Sequence, residues 1–280
     1  MMMTIMKSGA AAGDHLMSDT SKGTALVTGA SSGIGKIYAD RLARRGYDLV
    51  LVARSRERLD ALAAELRAAT GRTVDVLAAD LVQPDDVARV ATRISEDDTL
   101  TLVVNNAGAG TEGPVVGADP SKIDAMVQLN VVALTRLAVA AVDSFARRGR
   151  GTLINIASVV AIVPEFFPGA YAATKAYVLA FTQSLQAELQ GRPVRVQAVL
   201  PGATRTEFFD RAGLDPNVFP DEAVMSADDL VDAALKGLDM GEAVTIPPLP
   251  DFAGFEAITA ARMAVGPGLS LRDPAPRYRA

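Results

Sequence analysis

The 280-residue chain has no cysteine and no tryptophan, and its only histidine is His15. Without cysteine there is no disulfide, no thiol nucleophile and no thiolate metal site. One histidine, in a ragged N-terminal stretch, cannot build a Ser-His-Asp constellation or a histidine-rich metal centre. Proton chemistry therefore falls to Tyr, Lys, Asp or Glu. An excess of positive charge is also missing: 28 Lys and Arg stand against 33 Asp and Glu, for a net charge of −5. Binding to phosphate backbones is largely a basic-residue effect, so no nucleic-acid partner is expected, although a local basic pocket is compatible with this balance. No stretch reads as the roughly 20 apolar residues of a membrane helix, and the N-terminus lacks the apolar core of a signal peptide. Residues 1–20 read as a disordered extension, with Met17 as an alternative start to Met1. The expectation is a soluble, cytoplasmic protein without a membrane span.

What is present is an alternation of two periodicities. Short apolar runs read as strands: TALVT (24–28), DLVLV (48–52), VDVLAAD (74–80), TLVVNNAG (101–108, running into a loop), TLINIAS (152–158), VRVQAVLPG (194–202) and AVTIP (243–247). Between them lie helical patterns. One has leucines at 59, 62 and 66 with Gly71 placed to cap it, and another starts at Pro84 with acids in its first turn. Longer helices are expected over residues 120–148, 170–190 and 226–240. Uniformly apolar strands separated by helices indicate a parallel sheet covered on both faces. The fold class is α/β, a doubly wound, Rossmann-type parallel sheet of about seven strands in one domain. That domain covers residues 21–250, and residues 251–280 form a tail that closes the pocket or meets another subunit. Ligands of such folds lie outside the carboxyl ends of the strands.

Those ends carry the informative residues. TGASSGIG follows the first strand, with glycines at 29, 33 and 35. Such glycines permit a tight turn and close backbone approach to a pyrophosphate seated on a helix N-terminus, or serve packing alone. The second strand runs into Ala53, Arg54, Ser55 and Arg56, where an acid would bind the ribose 2′-hydroxyl of NAD. A guanidinium there suits a 2′-phosphate, so NADP(H) is favoured and NAD(H) remains possible. Asp80, followed by Leu81, is either an acceptor for an adenine amino group or a turn residue. Asn106, before Ala107 and Gly108, is placed to brace the central strands, and the two small residues let a cofactor lie close. Asn130 sits in an apolar helix and needs partners unless it faces the surface. Ser158 ends the fifth strand, and Tyr171 follows 13 residues later. Lys175 stands one helical turn beyond Tyr171, on the same face. An ammonium beside a phenol favours the phenolate and lowers its pKa, although such pairs also occur by chance with both tips in solvent.

Taken in order, TGASSGIG, NNAG, the Ser158–Tyr171 interval, YAATK and the PGATRT stretch resemble the short-chain dehydrogenase/reductase superfamily over roughly residues 22–247. The resemblance implies Tyr171 as general acid and base, and Lys175 as the group that lowers its pKa and holds the nicotinamide ribose. It implies Ser158 on the substrate oxygen, and Asn130 holding a water that links Lys175 to solvent. It assigns Gly29, Ser31, Ser32, Gly33, Ile34 and Gly35 to the cofactor phosphates and ribose, and Asp80 and Leu81 to the adenine. Asn106, Ala107 and Gly108 border the ribose linkage, and Pro201, Gly202, Thr204 and Thr206 contact the nicotinamide end. The implied partner is a small-molecule carbonyl or alcohol, and the implied assembly a homodimer or homotetramer.

Substrate choice is expected in residues 159–168 and 206–225, which carry Glu165, Phe166, Phe167, Phe208, Phe209, Leu214 and Phe219. Such a lining suits an apolar carbonyl, or else forms a lid core or a subunit contact. Two other classes remain open: a catalytically idle NADPH-binding sensor, and a basic-helix binding module built on Arg41, Arg44 and Arg45.

Overall fold

The computed structural model describes residues 21–110, 113–167, 169–213, 215 and 219–279. The N-terminal extension, Leu214 and the Phe166 side chain lie outside the described residues. Seven strands form one parallel sheet in the order β3-β2-β1-β4-β5-β6-β9. They are β1 (Thr24–Thr28), β2 (Asp48–Ala53), β3 (Val74–Ala78), β4 (Leu100–Asn105), β5 (Gly151–Ile156), β6 (Val194–Val199) and β9 (Val244–Thr245). A separate two-stranded ribbon, β7 (Thr204–Arg205) with β8 (Met225–Ser226), was not legible in the sequence. Two-residue strands carry too little periodicity to be seen.

The helices are α1 (Gly33–Arg44), α2 (Arg56–Thr70), α3 (Pro84–Glu96), α4 (Pro120–Val127), α5 (Leu134–Arg148), α6 (Ala170–Glu188), α7 (Phe208–Ala212), α8 (Ala227–Met240) and α9 (Ala253–Ala264). Several of their ends follow from local sequence. Gly71 caps α2 in the left-handed conformation at φ 70, and Pro84 opens α3 with Asp85 and Asp86 in its first turn.

Strand alternation sends side chains to two cores. Ala25 and Val27 join α1, α2 and α8 on one face, and Leu26 joins α3, α5 and α6 on the other. All these strand residues are fully buried. The strand order reverses at β1 and β4, which opens the crevice at their carboxyl ends where such folds bind ligands.

Two expectations change. Helical residues 120–148 are long and apolar enough, by length and composition, to cross a membrane, which the sequence reading did not register. Arg136 divides the apolar run, and 44% of the window is buried, where α5 packs on α3 and β5. The arginines of α1 are not a free basic face. Arg41 pairs with Asp40, Asp228 and Asp232, Arg44 with Asp40, and Arg45 with Asp239. They tie α1 to α8, and the binding-module reading loses its cations.

Candidate active site

A cleft of about 1250 Å³ runs along the carboxyl ends of the strands. It exceeds the roughly 300–1,000 Å³ of a single drug-sized site, which leaves room for a dinucleotide and a second ligand. Its wall carries Gly29, Ser31, Ser32, Gly33 and Ile34, then Arg54, Ser55 and Arg58, then Asp80 and Leu81. Asn106, Ala107 and Gly108 continue it to Ser158, Tyr171 and Lys175, with Pro201, Gly202, Thr204 and Thr206 opposite. Of the expected site residues, Asn130 and Gly35 lie just behind this surface.

Gly29 and Gly33 have φ of 67 and 51, a turn that side-chain-bearing residues rarely adopt. A Cβ on Gly35 would stand 2.4 Å from the Gly29 carbonyl oxygen, so the turn closes onto α1 only with glycine there. Ser32 precedes α1 in extended conformation and makes no side-chain cap, so the first-turn N–H groups of α1 face the cleft uncapped. A pyrophosphate fits this cradle through those N–H groups and the helix dipole.

Asn106 braces the sheet as expected. Its Nδ2 donates to the Thr28 carbonyl at 2.8 Å. Thr28 is a residue the sequence reading passed over. Its Oγ1 accepts the Asn106 and Ala107 N–H groups, both at 3.0 Å, and so fixes the NNAG loop over β1. Asp80 proves to be a turn residue that also lines the cleft: Oδ1 accepts from the Val82 N–H at 3.2 Å. Its own N–H donates to Asp86 at 2.6 Å. Arg54 is exposed at the end of β2 and available to a ligand.

Asn130 lies in a π-helical turn, Gln128–Ala133, between α4 and α5, and it is 1% exposed. Such turns widen a helix locally and frequently mark functional sites. Asn130 Oδ1 accepts from the Ala109 N–H at 2.9 Å, and Nδ2 donates to the Ala109 carbonyl at 2.8 Å and to Thr174 Oγ1 at 3.0 Å. Thr174 in turn donates to the Tyr171 carbonyl at 2.7 Å. The surface-facing alternative for Asn130 is therefore excluded. A Cβ on Gly108 would stand 3.2 Å from Asn130 Oδ1 and 3.5 Å from Lys175 Nζ. These three residues thus meet at one point.

Lys175 is 5% exposed and its Nζ donates to the Ile156 carbonyl at 2.8 Å. Burial pulls its pKa down to about 8. Burial also raises the Tyr171 phenol, opposed by a hydrogen bond with Ser158. Lys175 Nζ lies 5.8 Å from the Tyr171 ring centroid and is engaged by the Ile156 carbonyl, and burial is the largest influence on the phenol. Ser158 Oγ donates to the Pro201 carbonyl and accepts from the Val160 N–H, both at 3.4 Å. Those long contacts leave its hydroxyl free to turn toward the cleft.

Aromatic rings roof the phenol. Phe167 meets Tyr171 edge-on at 5.8 Å and Phe208 lies tilted at 5.5 Å. Phe209 and Phe219 continue the cluster. Glu165 is exposed and does not line the cleft among the described residues. The tail's residues likewise stay outside that lining, where the sequence reading had allowed them to close the pocket. Neither Arg58 nor Glu207 was singled out from the sequence, although they form an ion pair at the cleft wall. They are 149 residues apart, a separation that no local pattern signals.

A family model described as short chain dehydrogenase matches residues 23–216. The human protein named 17-beta-hydroxysteroid dehydrogenase type 3 is 30% identical over 220 residues, covering 78% of this chain and 68% of that protein. A short-chain dehydrogenase from Sphingobium yanoikuyae, solved in complex with NADPH, is 49% identical with a TM-score of 0.89, covering 92% of this chain and 100% of its own. The bulky-bulky ketone specific alcohol dehydrogenase from Comamonas testosteroni is 45% identical with a TM-score of 0.86, covering 93% and 100%. With its glycine turn, its Tyr171–Lys175 pair on one helix face at the cleft and its seven-stranded parallel sheet, the chain belongs to the short-chain dehydrogenase family and is an oxidoreductase.

Proposed function

We propose that this chain is an NADP(H)-dependent oxidoreductase that interconverts a bulky, apolar carbonyl and its secondary alcohol, with Tyr171 exchanging the proton on the substrate oxygen. The observation that carries this reading is the convergence of Ser158, Tyr171 and Lys175 at the floor of one aromatic-lined cleft. When bound, NADP(H) supplies or accepts the hydride.

This chain's residues do the rest. The uncapped first turn of α1 and the glycine turn hold the pyrophosphate. Arg54 pairs with the 2′-phosphate, and residues 53–56 at the end of the second strand carry no acid to select the 2′-hydroxyl of NAD(H) instead. Lys175 and the Asn130–Ala109 connection hold the ribose end, with Asn130 placed to keep a water between Lys175 and solvent. Asp80, Leu81, Asn106, Ala107 and Gly108 border the cofactor, and Thr204 and Thr206 face its nicotinamide. Ser158 orients the substrate oxygen. The Tyr171 phenol, protonated at neutral pH as a tyrosine ordinarily is, serves as the general acid for reduction. Two hydroxyl donors where negative charge develops lower the barrier.

Support for a large apolar substrate comes from Phe167, Phe208, Phe209 and Phe219, and from the ketone-specific relative. Support for NADP(H) comes from Arg54 and the NADPH-bound relative. A catalytically idle sensor has no need of the assembled Ser158–Tyr171–Lys175 set. The packing of α5 against α3 and β5 favours a soluble enzyme. Exposed Val127, Val139 and Tyr177 on α4, α5 and α6, together with the apolar tail, suit contact with further subunits in a homodimer or homotetramer.

The test is NADPH oxidation against a panel of ketones with two bulky substituents, beside small ketones and aldehydes, with NADH in parallel. Turnover with the bulky ketones and NADPH is expected. NADH preferred over NADPH, or activity confined to small polar carbonyls, contradicts the reading.

A further inference from the structure

An ion pair fastens the roof of the cleft to the cofactor side. Arg58, in the first turn of α2, meets Glu207, immediately before α7, with Nη1 to Oε2 at 3.0 Å. Glu207 also pairs with Arg211, one turn on in α7. Arg58 is built into the helix start, since its N–H donates to the Ser55 side-chain cap. Arg54, Ser55 and Arg58 line one stretch of wall, where the sequence seats a 2′-phosphate. At the other end of the same few residues, Phe208 lies against Tyr171 and close over Gly110, where even a Cβ would stand 2.8 Å from its ring. Thr206, one residue before Glu207, abuts Gly33, which a Cβ would bring within 3.1 Å. A single short segment therefore touches the phosphate turn, the 2′-phosphate wall and the catalytic phenol.

We propose that Arg58 and Glu207 form a latch that reads the cofactor's 2′-phosphate. Without that phosphate, Arg58 holds Glu207 and keeps α7, with Phe208, drawn against the α2 end of the cleft. A 2′-phosphate on this wall competes with Glu207 for the guanidinium, because a phosphate carries more charge than a carboxylate and accepts a bidentate pair. Its binding releases α7 from α2 and leaves Phe208 free to adjust to a bulky substrate. NAD(H), lacking the phosphate, leaves the latch shut. Both partners are about half exposed, so the pair is weak enough to be exchanged. The inference rests on the NADP(H) reading above and adds a link between cofactor identity and the substrate roof.

The test is a double-mutant cycle read by direct binding, with NADPH and NADH titrated into wild type, Glu207→Gln, Arg58→Met and the double variant. Glu207→Gln is expected to tighten NADPH about fivefold, the exchange value of one exposed ion pair, and to leave NADH within about twofold. In the Arg58→Met background the gain should vanish. Hydrogen exchange over residues 207–212 should speed up with adenosine 2′,5′-bisphosphate and not with AMP. Equal shifts for NADPH and NADH, a gain that survives in Arg58→Met, or α7 exchange indifferent to the 2′-phosphate would overturn the latch while leaving the NADP(H) reading intact. Wild type that binds NADH more tightly than NADPH would instead remove the reading beneath it.

Discussion

At the scale of single residues, burial dominates. Lys175 is pulled down to about 8, below the roughly 10.4 of a free lysine, because its ammonium is desolvated. The unfolded chain therefore binds the proton more tightly than the fold does. This group's penalty on stability is full below pH 8 and fades as pH rises from about 8 to about 10.4. In urea titrations, Lys175→Met should gain stability over wild type at pH 7, and the gap should narrow toward pH 10. A gap that widens with pH would contradict this sign. Asn130 works through its amide. Replacing it by Ala strips both polar groups of the half-buried Ala109 of their partner, at a cost of about 1–3 kcal/mol in thermal or denaturant unfolding. If Asn130→Ala unfolds like wild type, water satisfies those groups and the amide is dispensable to the fold.

At the scale of elements, the glycine turn and the first helix act as one part. Gly35→Ala places a methyl within 2.4 Å of the Gly29 carbonyl, so α1 must move off the turn. NADPH binding should weaken by at least about tenfold, with a loss of several kcal/mol in stability, because a backbone atom cannot swing aside. Retained affinity would mean that the turn relaxes without cost. The α1–α8 clamp behaves differently. Arg41→Ala removes two ion pairs to exposed aspartates and one part-buried pair to Asp40, and should cost about 1–2 kcal/mol, read as a shift in the urea midpoint.

The legibility of the sequence follows the same division. Seven sheet strands and the long helices show because each carries its own apolar period. The glycine turn, Asn106, Ser158, Tyr171 and Lys175 show because they sit at strand ends or at helical spacing. Thr28, Thr174, Arg58 and Glu207 do not show. Their roles come from contacts across the fold, such as Thr28 with the loop 78 residues later. The pKa shifts of Tyr171 and Lys175 also lay beyond the sequence, since burial and the Ile156 carbonyl fix their balance.

At the scale of the whole molecule, charge and apolar surface guide the expectations. A net charge of −5, with the α1 arginines held by aspartates, predicts no binding to duplex DNA in a gel-shift assay at low salt. Val139 at 51% and the tail's Met263, Leu269 and Leu271 at 67%, 76% and 73% are exposed apolar side chains that suit contact between copies. Size-exclusion chromatography with light scattering should return a dimer or tetramer, and a purely monomeric profile would contradict that expectation.

The measurement that bears most directly on the account is Tyr171→Phe, assayed side by side for NADPH binding and for turnover of a bulky ketone. The ring and its contacts with Phe167 and Phe208 are retained, and only the phenolic oxygen is lost. The account predicts NADPH binding close to wild type and turnover lower by about 10²–10⁴-fold, the usual share of a general acid. Turnover within a few-fold of wild type would show that the proton comes from elsewhere, and the assignment of Tyr171 would fall.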